Sequence, residues 1–152
     1  MSLDLIFRKI EFGSQNYQDS LRLREQILRV PIGLRLMAHE LERDQFDLHL
    51  GGFRGGELVA CLILSRIGEQ RMKMRQVAVR ENLQNQGIGK GLVQFSEKIA
   101  LDNQVQELEL SARQTAVQFY LQLGYLADGL PYTEKTISHL KMTKTLKLKG
   151  EQ

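Results

Sequence analysis

At 152 residues, 42% of them hydrophobic and 26% charged, the chain has the size and composition of one globular domain, 1–152, with a sizeable buried core. Its net charge of +3 comes from 21 basic and 18 acidic residues that are interspersed rather than blocked, which argues against a nucleic-acid partner. A single cysteine, Cys61, excludes an internal disulfide and fits a reducing, cytoplasmic setting.

Residues 5–12 alternate in part and predict a first strand, punctuated by Gly13 and Ser14, with Ser14 as N-cap of the next element. Tyr17, Leu21, Ile27 and Leu28 share one face of a first helix, which Val30-Pro31-Ile32-Gly33 breaks. A weaker helical stretch follows over 34–43. Around its exit cluster His39, Glu40, Glu42, Asp44, Asp47 and His49. They read either as a solvated polar segment or as groups facing a cationic substrate. None of the histidines has the i, i+4 spacing of a helical zinc site, and no metal is expected. Residues 47–53 and 57–67 predict two strands about a hairpin turn at Arg54-Gly55-Gly56, with Cys61 as a core thiol. The apolar run around Cys61 is too short to span a bilayer, and MSLDLIFRKI lacks a signal-peptide layout, so no membrane partner is expected.

A further strand spans 71–80. Met72 and Met74 place its apolar residues on even positions, Val77 and Val79 on odd ones. Either both faces are buried or a bulge near Arg75 and Gln76 absorbs the slip. Next comes Gln84-Asn85-Gln86-Gly87-Ile88-Gly89-Lys90-Gly91, directly before a helical pattern carried by Leu92, Phe95 and Ile99. Unpaired amides and the positive end of a helix dipole make such a terminus an anion site. Residues 106–111 predict a strand parallel to 71–80, and 115–123 a helix with Gly124 as its left-handed cap. A strand and loop cover 125–132. A final antiparallel strand covers 139–149, with Leu140, Met142, Leu146 and Leu148 inward and lysines toward water.

The loop is not a Walker A motif, since Gln84 stands where its first glycine should be and Gly91 where its hydroxyl should be. A dinucleotide fingerprint would need glycine at Leu92 and would follow the first strand rather than several. The residues Gln84-Asn85-Gln86-Gly87-Ile88-Gly89 do resemble the Gln/Arg-x-x-Gly-x-Gly/Ala signature of the GNAT acetyltransferase superfamily. Downstream, the segment from Ser111-Ala112-Arg113 through Ala116 and Phe119-Tyr120 to Leu123-Gly124-Tyr125 is similar to a second family feature at the usual separation. Glu81 and Asn85 depart from a common Pro and a common Gly.

The resemblance implies an α/β (α+β) fold: a mixed, mostly antiparallel sheet with a splayed parallel pair flanked by helices. It implies acetyl-CoA as donor and a primary amine, on a small molecule or peptide, as acceptor. Backbone amides of Gln84, Asn85, Gln86, Gly87, Ile88, Gly89, Lys90 and Gly91 would hold the pyrophosphate. The backbone of Val77, Ala78 and Val79 would hold the pantetheine arm and aim an N–H at the thioester oxygen, a contribution of about 3 kcal/mol. Ser111, Arg113, Ala116 and Phe119 would complete the cofactor site. Tyr120 would protonate the leaving thiolate, unless it is only a packed aromatic. His139, near Glu134, resembles a histidine that could serve as base, against the alternative of a surface or turn residue. A homodimer is common among similar proteins. The rival reading is a catalytically silent acetyl-CoA-binding sensor or interaction domain.

Overall fold

The computed structural model describes residues 4–147; Leu148 and Lys149 of the expected last strand and the first three residues of the chain lie outside them. The described residues form eight strands and four α-helices. The strands are β1 (Leu5–Ile10), β2 (Leu48–Arg54), β3 (Glu57–Gly68), β4 (Arg71–Val79), β5 (Glu107–Arg113), β6 (Leu126–Ala127), β7 (Tyr132–Glu134) and β8 (Ile137–Thr145). The helices are α1 (Gln15–Leu28), α2 (Ala38–Leu41), α3 (Ile88–Asp102) and α4 (Val117–Gln122). Strand order is β1-β2-β3-β4-β5-β8-β6, with β7 paired to β8. The β4–β5 pair is parallel, whereas β1–β2, β2–β3, β5–β8, β6–β8 and β7–β8 are antiparallel, so the expected mixed sheet is present. By contact density the chain forms two compact units, one of residues up to Ser65 plus Gln76–Ser96, the other of Arg66–Arg75 and residues from Glu97 onward.

In the first unit, Ser14 caps α1 as expected, its hydroxyl accepting from the Tyr17 amide. The inner face of α1 carries Tyr17 and Leu23 into a cluster with Ile10, Phe53, Leu58, Cys61 and Ala78. Arg24 is buried on that face too, seven residues after Tyr17 and so two helical turns along it. The stretch expected to be helical over 34–43 shrinks to the single turn of α2, because Gly33 (φ 76°) turns the chain first and Glu40 is held by Arg29 at 2.6 Å. Gly55 and Gly56 both have positive φ, which is the turn geometry that matches strand twist.

Helix α3 starts at Ile88, earlier than the apolar pattern suggested, so Gly89 and Gly91 lie in its first turn. Gly91 has a packing role. A Cβ there would sit 2.5 Å from the Phe7 ring of β1, the ring that stacks on Phe95 with centroids 6.1 Å apart. Ordinarily Gly→Ala inside a helix gains up to about 1 kcal/mol, while overpacking costs about 1–3 kcal/mol. Gly91→Ala should therefore destabilise the protein, and in a Phe7→Leu background the sign should reverse. Urea unfolding of the four variants measures both.

In the second unit, β5 is longer than expected and buries Leu108, Leu110 and Ala112 on one face. Gly124, at φ 94°, ends α4 as its left-handed cap. Lys144 does not face water as expected of the lysines in the last strand. Its ammonium binds both Glu97 oxygens, at 3.0 and 3.1 Å, and the Leu123 carbonyl at 2.8 Å, tying β8 to α3 and to the end of α4. Lys141 likewise pairs with Asp128 and Glu109.

Candidate active site

The sequence-predicted residues fall into two groups, one in each compact unit. The first group follows β4. Gln76, where the apolar alternation slips, has φ 51°, so the strand departs from regular extended backbone at that point. Val77, Ala78 and Val79 come next, Ala78 buried and the two valines half-buried. A 3-10 turn over Glu81–Leu83, which sequence reasoning missed, leads to the loop. Gln84 folds back on β4, its side-chain amide donating to the Val79 carbonyl at 3.0 Å. Asn85 (φ 64°) and Gly87 (φ 83°) are both left-handed. That accounts for Asn85 in place of the common Gly, since Asn tolerates this region better than most side chains.

The first intrahelical bond of α3 runs from Gly91 N–H to the Gly87 carbonyl, at 3.0 Å. The amides of Ile88, Gly89 and Lys90 precede it and have no acceptor within the helix. Residues 84–87 are exposed and a Cβ on Gly87 would meet nothing within 4 Å, so the approach to the helix terminus is open; Gly89 is half-buried and Ile88 buried. Ile88, Leu92, Val93 and Ser96 fix the helix below them by burial. The Lys90 side chain is exposed. Open amides, a helix dipole and left-handed turns can hold a phosphate or pyrophosphate. Gly91 contributes no open space, because Phe7 fills it.

The second group lies on β5, α4 and β8. Ser111 is half-buried on β5 and accepts a hydrogen bond from the Tyr132 hydroxyl. Arg113 pairs in register with His139. His139 is buried and in a strand, which removes the surface-turn alternative. Its Nδ1 lies 2.9 Å from the Ile137 carbonyl. A carbonyl only accepts, so Nδ1 is the donor in this contact, and in the neutral imidazole Nε2 then keeps a lone pair. The imidazole stacks on Tyr132, centroids 5.8 Å apart. Glu134, two residues on, is exposed. The sequence alone places Tyr132 at the end of a loop; in the structure it belongs to β7, two residues from Glu134, and so joins this group.

Ala116 sits in a 3-10 turn before α4 and is half-buried. Phe119 packs edge-on against Tyr120 at 4.9 Å, and Tyr120 against Tyr125 at 5.7 Å. The Tyr120 carbonyl accepts from the Tyr125 amide at 3.0 Å, and the Tyr125 hydroxyl donates to Glu97 at 2.8 Å, so the aromatic trio is anchored at both ends. Burial pushes the Tyr120 phenol above its ordinary value. Burial and then the Glu97 carboxylate raise Tyr125 as well. In the first unit burial, followed by the hydrogen bond to Asp44, pushes Tyr17 up to about 12. Each of these phenols binds its proton more tightly when folded. Their contribution to stability is thus complete below pH 10 and is lost as pH rises above it, for Tyr17 as pH passes about 12. Absorbance at 295 nm should show their ionisation in step with loss of the circular dichroism signal, not before it.

The polar cluster around 39–49 resolves differently from either expectation. His39 and Glu42 are exposed, but Asp44 and His49 are buried. Glu40 is bound to Arg29, Asp44 to Arg24 and Asp47 to Arg43. Those carboxylates are engaged by arginines, which removes the ready acidic face a cationic substrate would use. Among the described residues there is no group of three His, Cys, Asp or Glu arranged to hold a metal, and no helix long and apolar enough to cross a membrane.

An acetyltransferase (GNAT) domain family model matches residues 31–146. Three solved structures share the fold over nearly the whole chain. A Lactobacillus plantarum protein assigned as an N-acetyltransferase superposes with TM-score 0.79 at 20% identity, over 96% of this chain and 99% of that one. ElaA of Escherichia coli gives 0.78 at 19% identity, over 93% and 99%. An acetyl-CoA-bound GNAT family acetyltransferase of Elizabethkingia anophelis gives 0.74 at 16%, over 93% and 98%. At these identities the structures speak to fold; the family match, covering most of the chain, speaks to descent. With the strand order, the parallel β4–β5 pair and the open helix terminus after β4, it places the chain in the GNAT acetyltransferase family.

Proposed function

We propose that the protein is an acetyl-CoA-dependent N-acetyltransferase acting as a single functional domain on a primary amine, with both substrates bound together. The observation that carries this reading is the open N-terminus of α3, reached through the left-handed Asn85 and Gly87, in a chain of this family. The residues fit the cofactor: the loop 84–87 before α3 is exposed, the Ile88, Gly89 and Lys90 amides have no acceptor within the helix, and an anionic pyrophosphate is what such a terminus favours. Acetyl-CoA would supply an activated acyl group with a thiolate leaving group.

The chain's own residues would do the rest. Backbone groups of Val77, Ala78 and Val79 orient the pantetheine arm and donate to the thioester oxygen, where negative charge grows as the amine attacks. Ser111, Arg113, Ala116 and Phe119 would complete the cofactor site. Tyr120, kept protonated by burial, donates to the leaving thiolate. His139, with Nε2 available, takes the proton released by the attacking amine. The amine nitrogen then holds the acetyl group as an amide, and coenzyme A leaves as thiol.

Release of free thiol from acetyl-CoA tests the proposal, measured across polyamines, aminoglycosides, amino-acid amides and peptides with free N-termini. Amine-dependent release supports it. Acetyl-CoA binding by calorimetry with no release for any amine would overturn it in favour of a silent binding domain.

A further inference from the structure

We infer that Arg24 is a positioning residue for acyl transfer: through Gln76 it fixes the left-handed kink of β4 that sets the direction of the backbone at residues 77–79. The inference rests on the acetyl-CoA reading above, in which that backbone holds the pantetheine arm.

Arg24 is 1% exposed, an unusual place for a guanidinium on a helix face that otherwise packs apolar side chains. Its Nε donates to Gln76 Oε1 at 2.6 Å and its Nη1 to Asp44 Oδ2 at 2.8 Å. The same Asp44 oxygen accepts from the Tyr17 hydroxyl at 2.7 Å, and the Asp44 carbonyl accepts from His49 Nε2 at 2.8 Å. Asp44 is therefore held from three sides, and Arg24 is held by Asp44. A guanidinium only donates, so its contact also fixes which end of the Gln76 amide faces it.

Gln76 needs such a hold. With φ 51° it occupies a region that residues bearing a Cβ adopt only when their surroundings over-determine it. The bond to Arg24 fixes one side of the kink, and Ala78, packed with Ile10, Tyr17 and Leu23, fixes the other. Stability alone does not call for this arrangement, because well-packed apolar side chains can replace a buried ion pair at little or no loss. They could not hold the Gln76 amide. Nor does the network satisfy Arg24 fully, since its Nη2 is buried with no hydrogen-bond partner among the described residues. The guanidinium is placed for its two bonds at a cost in desolvation.

Gln76→Leu, which removes the acceptor while keeping bulk, should lower kcat at least tenfold with the best amine of the panel. The Kd for acetyl-CoA, set mainly by residues 84–90, should stay within threefold. Gln76→Glu retains an acceptor for Arg24 and should keep kcat within threefold of the parent. Arg24→Met should reproduce the kcat loss, and the Arg24→Met/Gln76→Leu pair should lose no more than either alone. If Arg24→Met does not fold, the Leu and Glu variants carry the comparison. Wild-type kcat in a folded Gln76→Leu protein, or equal losses for Leu and Glu, would overturn the inference. A crystal structure of Gln76→Leu decides the same point without any acceptor amine: residue 76 should leave the left-handed region, and its retention there overturns the clamp. Absence of turnover in the wild type would count against the acetyltransferase reading alone.

Discussion

Tyr120→Phe is expected to lower kcat by about 100-fold, in the range general acids contribute, while the Kd for acetyl-CoA changes by less than about threefold. The split follows from where each function resides. Affinity is proposed to rest on backbone amides of 84–90, which the substitution does not touch. The phenol is proposed to supply only the donor to the departing sulfur. Burial holds Tyr120 above the ordinary tyrosine value, so wild-type activity should show no loss from phenol ionisation at any pH where the protein is folded. Phe keeps the edge-on contacts with Phe119 and Tyr125, and the carbonyl that receives the Tyr125 amide is unchanged. Melting temperature should consequently move little, which separates a chemical loss from a structural one. An unchanged kcat would reduce Tyr120 to a packed aromatic; loss of stability matching loss of rate would do the same.

What the sequence disclosed and what it hid divide along a physical line. Features decided within a few residues were legible. Ser14 before a helix, Gly55-Gly56 in a hairpin, Gly124 after α4 and the glycine-rich approach to α3 each state their own backbone requirement. The apolar slip in β4 marked Gln76 for the same reason, because alternation along a strand is strict. Features decided by distant partners were not legible. Arg24 interrupts an apolar helix face, and only its contacts with Asp44, 20 residues away, and Gln76, 52 away, explain its presence. Asp44 and His49 sat in a polar run whose members look alike in sequence, yet those two are buried and His39 is exposed. The β7–β8 hairpin escaped for another reason. Its turn, Lys135-Thr136, has φ of 50° and 63°, values normally announced by Gly, Asn or Asp. With no such residue at that turn, the sequence leaves Tyr132 at the end of the stretch 125–132, apart from the strand at 139, and hides its contacts with Ser111 and His139.

Asp44→Ala is expected to be the most destabilising of the substitutions considered, costing about 3–5 kcal/mol because it leaves a buried guanidinium without its counter-charge. For a chain of this length that lowers Tm by about 10 °C, a large share of the stability an ordinary domain has to lose. The Tyr17 hydroxyl loses its acceptor in the same step. Asp44→Asn separates the causes. An amide oxygen can still accept from Tyr17 and Arg24, so if hydrogen bonding dominates, Asn recovers most of the loss; if charge dominates, Asn stays close to Ala. Charge should dominate, since a lost hydrogen bond costs about 1–3 kcal/mol and an uncompensated buried charge more. Replacing the whole network by apolar groups, as Arg24→Met/Asp44→Leu/Tyr17→Phe, removes both penalties and should return Tm to within a few degrees of the parent. Turnover should not return with it, because Gln76 would still lack its donor. A triple variant that regained both stability and kcat would show that the network serves the core alone.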